Sequence, residues 1–422
     1  MVVDDAGQSA LRKSAWRLLP ILGVAYFFNY LDRTSVGIAA LTMNQDLGLT
    51  ASQFGWGAGI LFFGYCAFEV PSSLALYRYG ARRWIARIMI SWGLAAAVTA
   101  FASGPTSFYI IRFILGVAEA GFFPGVIFYL ALWFPSEYRT RMTAWFMLAM
   151  PMSSLIGGPV SGLLLQMHGF LGLAGWKWLF LVEGLPACVI GFVVLAYLAD
   201  GPADASWLSP AEREALAALL AAEPRHRAKT TMLAAICDLR VWVLTVVTLG
   251  LTIGSFGMGV WLPLILKEQH VSNLAVGFLS AIPYLFATIG MVIWAWRTDR
   301  AGGKLLNLGL GCLVTGAGLV FAVVYGSLIP ALTGLTVALT GVTAARTIFF
   351  AIPSTFLTGV AAAGGLAFIN SIGALGGFVG PYVMGWLRET TGSFDAGMLA
   401  IAGVVGLTAM LSFGLRPWMP RG

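Results

Sequence analysis

Apolar runs of about 20 residues, each long enough to cross ~30 Å of hydrocarbon, recur along the whole of this 422-residue chain. They fall near 15–39, 53–77, 84–103, 107–134, 142–166, 177–199, 241–266, 274–296, 305–326, 329–358, 365–388 and 395–416, which predicts twelve membrane-spanning helices. In lipid every backbone N–H and C=O must find a partner within the protein, so only helices and closed barrels can span it. A barrel would show short segments of alternating polarity, and the pattern here is of long unbroken apolar stretches. The expected class is an all-α membrane protein. Composition agrees: 59% of residues are hydrophobic and 10% charged, against about 25% charged in an average soluble domain.

Charge placement sets the expected orientation. Lys and Arg collect in alternate loops, at Arg12, Lys13 and Arg17, at Arg78, Arg82, Arg83 and Arg87, at Arg139 and Arg141, and along the central linker to Arg240. Arg297, Arg300, Lys304, Arg416 and Arg421 continue the series, while Lys177, Lys267 and Arg388 fall on the other side. The positive-inside rule then places both termini in the cytoplasm. The polar start, MVVDDAGQSALRKS, lacks a small-residue cleavage site, so the first span is expected to stay uncleaved. The net charge of +7 follows from the same rule and gives no reason to expect a nucleic-acid partner.

Four cysteines (Cys66, Cys188, Cys237, Cys312) and three histidines (His168, His226, His270) have no disulfide or metal-ligand spacing. Neither a metal nor another cofactor is expected. No phosphate-cradling glycine loop and no nucleophile triad is present, so the chain is not read as an enzyme or as ATP-driven.

The longest polar break, about 201–239, contains SPAEREALAALLAAE, in which Ser209 caps a helix, Pro210 takes its first position and Glu212 follows three residues after the cap. A short amphipathic helix is expected there, dividing the chain into residues 1–200 and 240–422. The halves look related. Arg78 and Gly80 recur as Arg300 and Gly302, and Gly158-Pro159 as Gly380-Pro381, both 222 residues later. Two pseudo-symmetric six-helix bundles with a binding site between them are expected. Most of the 52 glycines are read as letting helices pack closely.

Ionisable residues inside such spans cost at least about 2.5–3.5 kcal/mol each on insertion scales and tend to mark pathways for charge. Asp32 and Arg33 lie side by side in the first span. They diverge by about 100° around a helix, so they pair poorly with each other. Arg33 is read either as the grip for a carboxylate, through two parallel hydrogen bonds, or as half of a structural ion pair. In the fourth span Arg112 and Glu119 are seven apart, on nearly one face but too far for a direct bond. Glu119 is read as a proton-carrying acid or as a partner for an arginine. Arg346 is either a second anion contact or paired with an acid. Tyr65 and Asn370 either hydrogen-bond a ligand or pack helices. Glu69 and Glu183 are read as braces. Together these groups point to movement of a charged species across a membrane.

At NYLDRTSVGIAALTMNQDLGL (29–49), FGYCAFEVPSSL (63–74), RYGARRWIARI (78–88), RFILGVAEAGFFPGVIFYLALWFP (112–135), GWKWLFLVEGLPA (175–187) and AAAGGLAFINSIGALGGFVGPY (361–382) the chain resembles the anion:cation symporters of the major facilitator superfamily, bacterial tartrate, sugar-acid and aromatic-acid permeases among them. The resemblance implies the major facilitator fold and a bacterial inner-membrane location. It implies a monomer working in the lipid bilayer that imports an organic carboxylate anion with protons by alternating access. It casts Asp32 and Glu119 as proton carriers, and Tyr30, Arg33 and Tyr65 as lining the anion site. Two positions depart from the pattern. Tyr77 stands where an acid usually precedes Arg-x-Gly, although Asp299 keeps that acid in the second half, and Ala374 replaces a frequent Asn, with Asn370 one turn earlier. A proton-driven exporter and a transporter-like ligand sensor are the competing readings. Arg33 argues against a cation exporter, and the short linker against a sensor.

Overall fold

The computed structural model describes residues 5–222, 238–353, 359–415 and 417, with only the backbone at 140, 299, 359–364 and 367. The expectations for Asp299, for the linker basic residues Arg225, Arg227 and Lys229, for Cys237 and for residues 354–358 lie outside what is described. Among the described residues the regular structure is helical.

The helices of the first half are α1 (Asp5–Asp46), α2 (Ala51–Tyr79), α3 (Ala81–Val98), α4 (Pro105–Glu119), α5 (Phe122–Trp133), α6 (Ser136–Met147), α7 (Ala149–Leu165) and α8 (Gly175–Tyr197). The linker helix α9 (Pro210–Ala221) follows. The second half holds α10 (Leu239–Lys267), α11 (Asn273–Ala301), α12 (Lys304–Tyr325), α13 (Leu328–Phe349), α14 (Gly359–Ala374), α15 (Gly376–Thr391) and α16 (Asp395–Gly414). Among the described residues, 10 stretches are long and apolar enough to cross a bilayer, with α4–α5 and α6–α7 each counting as one. The 42-residue α1 and the pair α14–α15 complete the twelve.

Prolines and a glycine loosen several spans. Pro159 lies in α7 and Pro381 in α15, the corresponding helices of the two halves. The break between α4 and α5 falls at Gly121, with φ of +83°, a left-handed conformation that glycine adopts without penalty. Ser72 donates to the Ala120 carbonyl freed there, at 2.6 Å, and the Trp84 indole N–H donates to Ser72 at 3.0 Å. The break follows directly on Glu119, the last residue of α4.

One buried apolar cluster joins Val36 and Phe54 to Trp261 and Val405, and another fills the first helices and reaches Phe256, so the core is continuous across the two halves. In the first half, α3 packs along α8, α2 along α4, and α1 against α7 and α8; in the second half, α12 packs on α13 and α16. The halves meet through α1 with α10, α2 with α15, and α7 with α11. Glycines permit these approaches, because a Cβ built on Gly158 would lie 2.7 Å from the carbonyl oxygen of Gly277, and the reverse holds at 2.7 Å. Gly37 meets the Val260 backbone and Gly55 the Pro381 backbone in the same way. These contacts gather at the end of the bundle that holds the C-terminal half of α1 and the start of α2.

The first helix is longer than its apolar run. It begins at Asp5, and Ala10 and Leu11 are buried. The reason is α9, which docks on this extension: Lys13 Nζ lies 2.7 Å from Glu212 Oε1, and the Ser9 hydroxyl donates to the same oxygen at 2.6 Å. Ser209 and Glu212 form the expected capping box.

Candidate functional site

Four charges from two helices form the centre of the first half. Asp32 and Arg33 point to different sides of α1, and each finds its counter-charge on α4. Arg33 Nε donates to Glu119 Oε1 at 2.7 Å, and Asn29, one turn before Arg33, also donates to that oxygen. Arg112 Nη1 lies 3.7 Å from Asp32 Oδ2, an ion-pair distance too long for a hydrogen bond. Neighbours in sequence on α1 thus match two residues seven apart on α4.

Burial makes the arrangement consequential. Asp32 and Arg112 are each 2% exposed and Glu119 is 0%. Buried ion pairs give little net stability, yet removing one partner strands a charge at a cost of about 3–5 kcal/mol. The hydrogen bonding is incomplete: both Asp32 carboxylate oxygens, Glu119 Oε2 and two Arg112 nitrogens are buried without hydrogen-bond partners among the described residues. Such a network can exchange partners and protons. Glu119 also sits at the C-terminal end of α4, where the helix dipole disfavours a negative charge, so it depends on Arg33 and Asn29.

Arg33 is the least buried of the four, with its guanidinium 5.1 Å from the Tyr65 ring and 5.8 Å from the Phe62 ring. Tyr65, on α2, therefore stands beside Arg33. Tyr30 meets Tyr26 edge-on, 6.2 Å between ring centroids. Tyr284 of α11 lines a small cavity with Thr34 and Ser35 of α1. Tyr26 stacks on Phe146 at 4.5 Å. Arg346, on α13, places its guanidinium 5.9 Å from the ring of Phe256 on α10. The structure therefore brings Asp32, Arg33, Glu119 and Tyr65 together, and it sets Arg346 beside Phe256 in the second half.

Asn370 is half-buried on α14 and makes no hydrogen bond among the described residues. Next to it, the Ser371 hydroxyl donates to Glu69 at 3.2 Å, and the Cys66 thiol to the Ser371 carbonyl at 3.1 Å. Glu69 thus ties α2 to α14 across the two halves. Glu183 accepts from Ser161 at 2.8 Å and links α8 to α7. Sequence reasoning did not find Phe62, Phe256 or Tyr284, since aromatic residues in apolar spans carry no signal of which face they occupy. Nor did it give the bond from Asn29 to Glu119. Among the described residues no cluster of His, Cys, Asp and Glu could hold a metal ion.

Comparison with known proteins places this geometry in context. A protein of Agrobacterium vitis provisionally named a tartrate transporter is 46% identical over 423 residues, covering 100% of this chain and 94% of its own. The quinolone resistance transporter of Acinetobacter baumannii is 38% identical, covering 96% of this chain and 94% of its own. A bacterial homologue of the human lysosomal transporter Spinster superimposes with a TM-score of 0.80, covering 97% of this chain and 98% of its own, at 15% sequence identity. The sequence profile of the Major Facilitator Superfamily matches residues 22–381, and the chain, a multi-pass membrane transporter and not an enzyme, belongs to that superfamily.

Proposed function

We propose that this transporter imports an organic carboxylate together with protons across the bacterial inner membrane, and that the Arg33–Glu119 pair is where the two are exchanged. The observation that carries the reading is that Glu119 occupies the Arg33 guanidinium as a substrate carboxylate would. Arg33, Arg112, Asp32 and Glu119 together are neutral. Adding an anion to this buried group is costly unless an acid takes up a proton. Protonating Glu119 weakens its hold on Arg33, and the freed guanidinium can then grip the substrate with paired hydrogen bonds. Asp32, beside Arg112, is the second acid available to carry a proton. Tyr30, Tyr65, Arg346 and Asn370 complete the pocket, Arg346 supplying a second positive charge from the other half.

Alternating access follows from the same frame. Residues 1–200 and 240–422 rock about the site as two bodies, joined by 201–239. With both termini cytoplasmic, the joined end of the bundle is the outer one, and the protein is open to the cytoplasm. The related Spinster structure is described as inward-facing, which supports this reading. The tartrate name carried by relatives makes a hydroxylated dicarboxylate the first substrate to try.

The test is uptake of radiolabelled tartrate into proteoliposomes with an imposed pH gradient, acid outside. Accumulation above equilibrium that collapses with the gradient supports the proposal; equal uptake without a gradient defeats coupling. The relative named as a quinolone resistance transporter favours a second reading, proton-driven export through the same site. Gradient-driven loss of substrate from loaded vesicles distinguishes it.

A further inference from the structure

Glu183 stands outside the group of four charges, on α8, and is 3% exposed. Ser161 of α7 donates to its Oε1, while its Oε2 has no hydrogen-bond partner among the described residues. The hydroxyl of Ser35 on α1 lies against it. On its far side α3 meets α8 backbone to backbone, through Gly93 and Gly184. Glu183 forms no ion pair among the described residues. An ionised carboxylate held only by neutral hydroxyls in the bilayer interior is heavily penalised. A brace between helices does not need a carboxyl there, since an amide would fill the same space and make the same bond to Ser161.

Ser35 faces two ways. It lies against Glu183, and its hydroxyl is 3.5 Å from the Asp32 carbonyl, one helical turn earlier. It also lines a small cavity of about 10 Å³, room for one water molecule. The other hydroxyls on that cavity belong to Thr34, Ser154, Ser280 and Tyr284. Ser280 Oγ is buried without a hydrogen-bond partner among the described residues, so the cavity offers a polar group still to be satisfied. Thr34, Ser35 and Ser154 come from the first half, Ser280 and Tyr284 from the second. Gly158, which also lines it, presses on Gly277 beside it. When the halves part at this end, α1 and α7 separate from α10 and α11, and the cavity becomes the floor of the opening.

We infer that Glu183 is a third proton carrier, loaded from the outside through this hydroxyl-lined cavity and Ser35, and that it supplies Asp32. The inference rests on the proton-coupled reading above. In the open state a proton leaves a hydronium ion in the cavity, water remaining, and bonds to Glu183. It then passes to the Asp32 carboxylate when the Ser35 hydroxyl, which faces the Asp32 carbonyl in this conformation, turns to it, giving up one proton and taking another. Glu183 is left ionised only while the cavity is wet, and it must be protonated again before the halves close over it. The parting of the halves thus controls which acid can be loaded and when.

The experiment uses the full-length protein in proteoliposomes, with tartrate as the probe. Glu183→Gln should lower gradient-driven accumulation at least about tenfold, retain counterflow exchange, and remove one titrating step from the pH profile of exchange. Glu183→Asp should restore part of the accumulation, which a purely structural role would not predict. Wild-type accumulation and pH profile in Glu183→Gln, with a coupled wild type, overturns the inference and leaves the coupling reading intact. An uncoupled wild type overturns both. Should Glu183→Gln lose counterflow through misfolding, Ser35→Ala decides, because it keeps the carboxyl and removes the hydroxyl. Slowed proton-driven uptake with normal counterflow supports the route, and unchanged uptake overturns it.

Discussion

Arg33 Nε lies 2.7 Å from Glu119 Oε1, so the anion held by Arg33 in this conformation is the protein's own carboxylate. On the proposed function, substrate and proton compete through this one guanidinium. An anion that reaches Arg33 must displace Glu119, and a proton on Glu119 makes that displacement easy.

Arg33→Lys is the cleaner of the two obvious changes at this position. Alanine would strand Glu119 as a buried charge and confound binding with stability. Lysine keeps the charge and loses the planar fork. Tartrate affinity, measured by calorimetry in detergent, should fall about tenfold or more, since a hydrogen bond to a charged group contributes about 1.5–3 kcal/mol. Wild-type affinity in Arg33→Lys would remove the residue from the anion site.

Glu119→Gln should uncouple transport without abolishing binding. The amide resembles the protonated acid and leaves Arg33 available. Uphill accumulation in a pH gradient should disappear, and counterflow should persist. Asp32→Asn should also impair accumulation. Undiminished uphill uptake by Glu119→Gln would leave Asp32 as the remaining candidate in the group of four.

Much of this arrangement was legible in the sequence, for physical reasons. Hydrocarbon thickness dictates span length, so the spans could be read from apolar runs. A charge inside a span is costly, so Asp32, Arg33, Arg112, Glu119 and Arg346 marked themselves. Spacing on a helix showed that Asp32 could not pair with Arg33, nor Arg112 with Glu119, but not that α1 and α4 would exchange partners. Which helix lies against which is a tertiary fact, and no period in the chain encodes it. Glu183 read as a brace because its surroundings, Ser35 and Ser161, come from two other helices. The start of α1 was read as a polar tail, because the docking of α9 that orders it joins residues about two hundred positions apart.

Gly158 should set how tightly the joined end closes. Its Cβ position lies 2.7 Å from the Gly277 carbonyl oxygen, closer than real Cβ atoms come. Gly158→Ala should cost the closed form about 1–3 kcal/mol, as other overpacked contacts do, and shift the population towards opening at this end. Spin labels at the exposed Leu163 and Phe278, on α7 and α11, would report it as a longer mean separation. An unchanged distance distribution in Gly158→Ala would sink the idea that this glycine pair limits closure.

The docking of α9 on α1 should respond to acid in a defined direction. Glu212 accepts from Lys13 and Ser9 and from its own capping box, Lys13 contributing most, and these hold its carboxyl down to about 2 from an ordinary 4.5. A carboxyl depressed in the docked form adds stability that is present above its free value and is lost as pH falls through its docked value. Docking should therefore be constant from neutral pH to about 5 and weaken progressively as pH drops towards 2. Lys13 is half exposed, so salt should reduce the effect at neutral pH as well. Hydrogen exchange across residues 210–221, corrected for intrinsic rates, measures docking directly. Glu212→Gln should lose several-fold protection at pH 7 and show little further loss on acidification. Wild-type protection of α9 at pH 7 in Glu212→Gln would show that this acid does not hold the linker helix to α1.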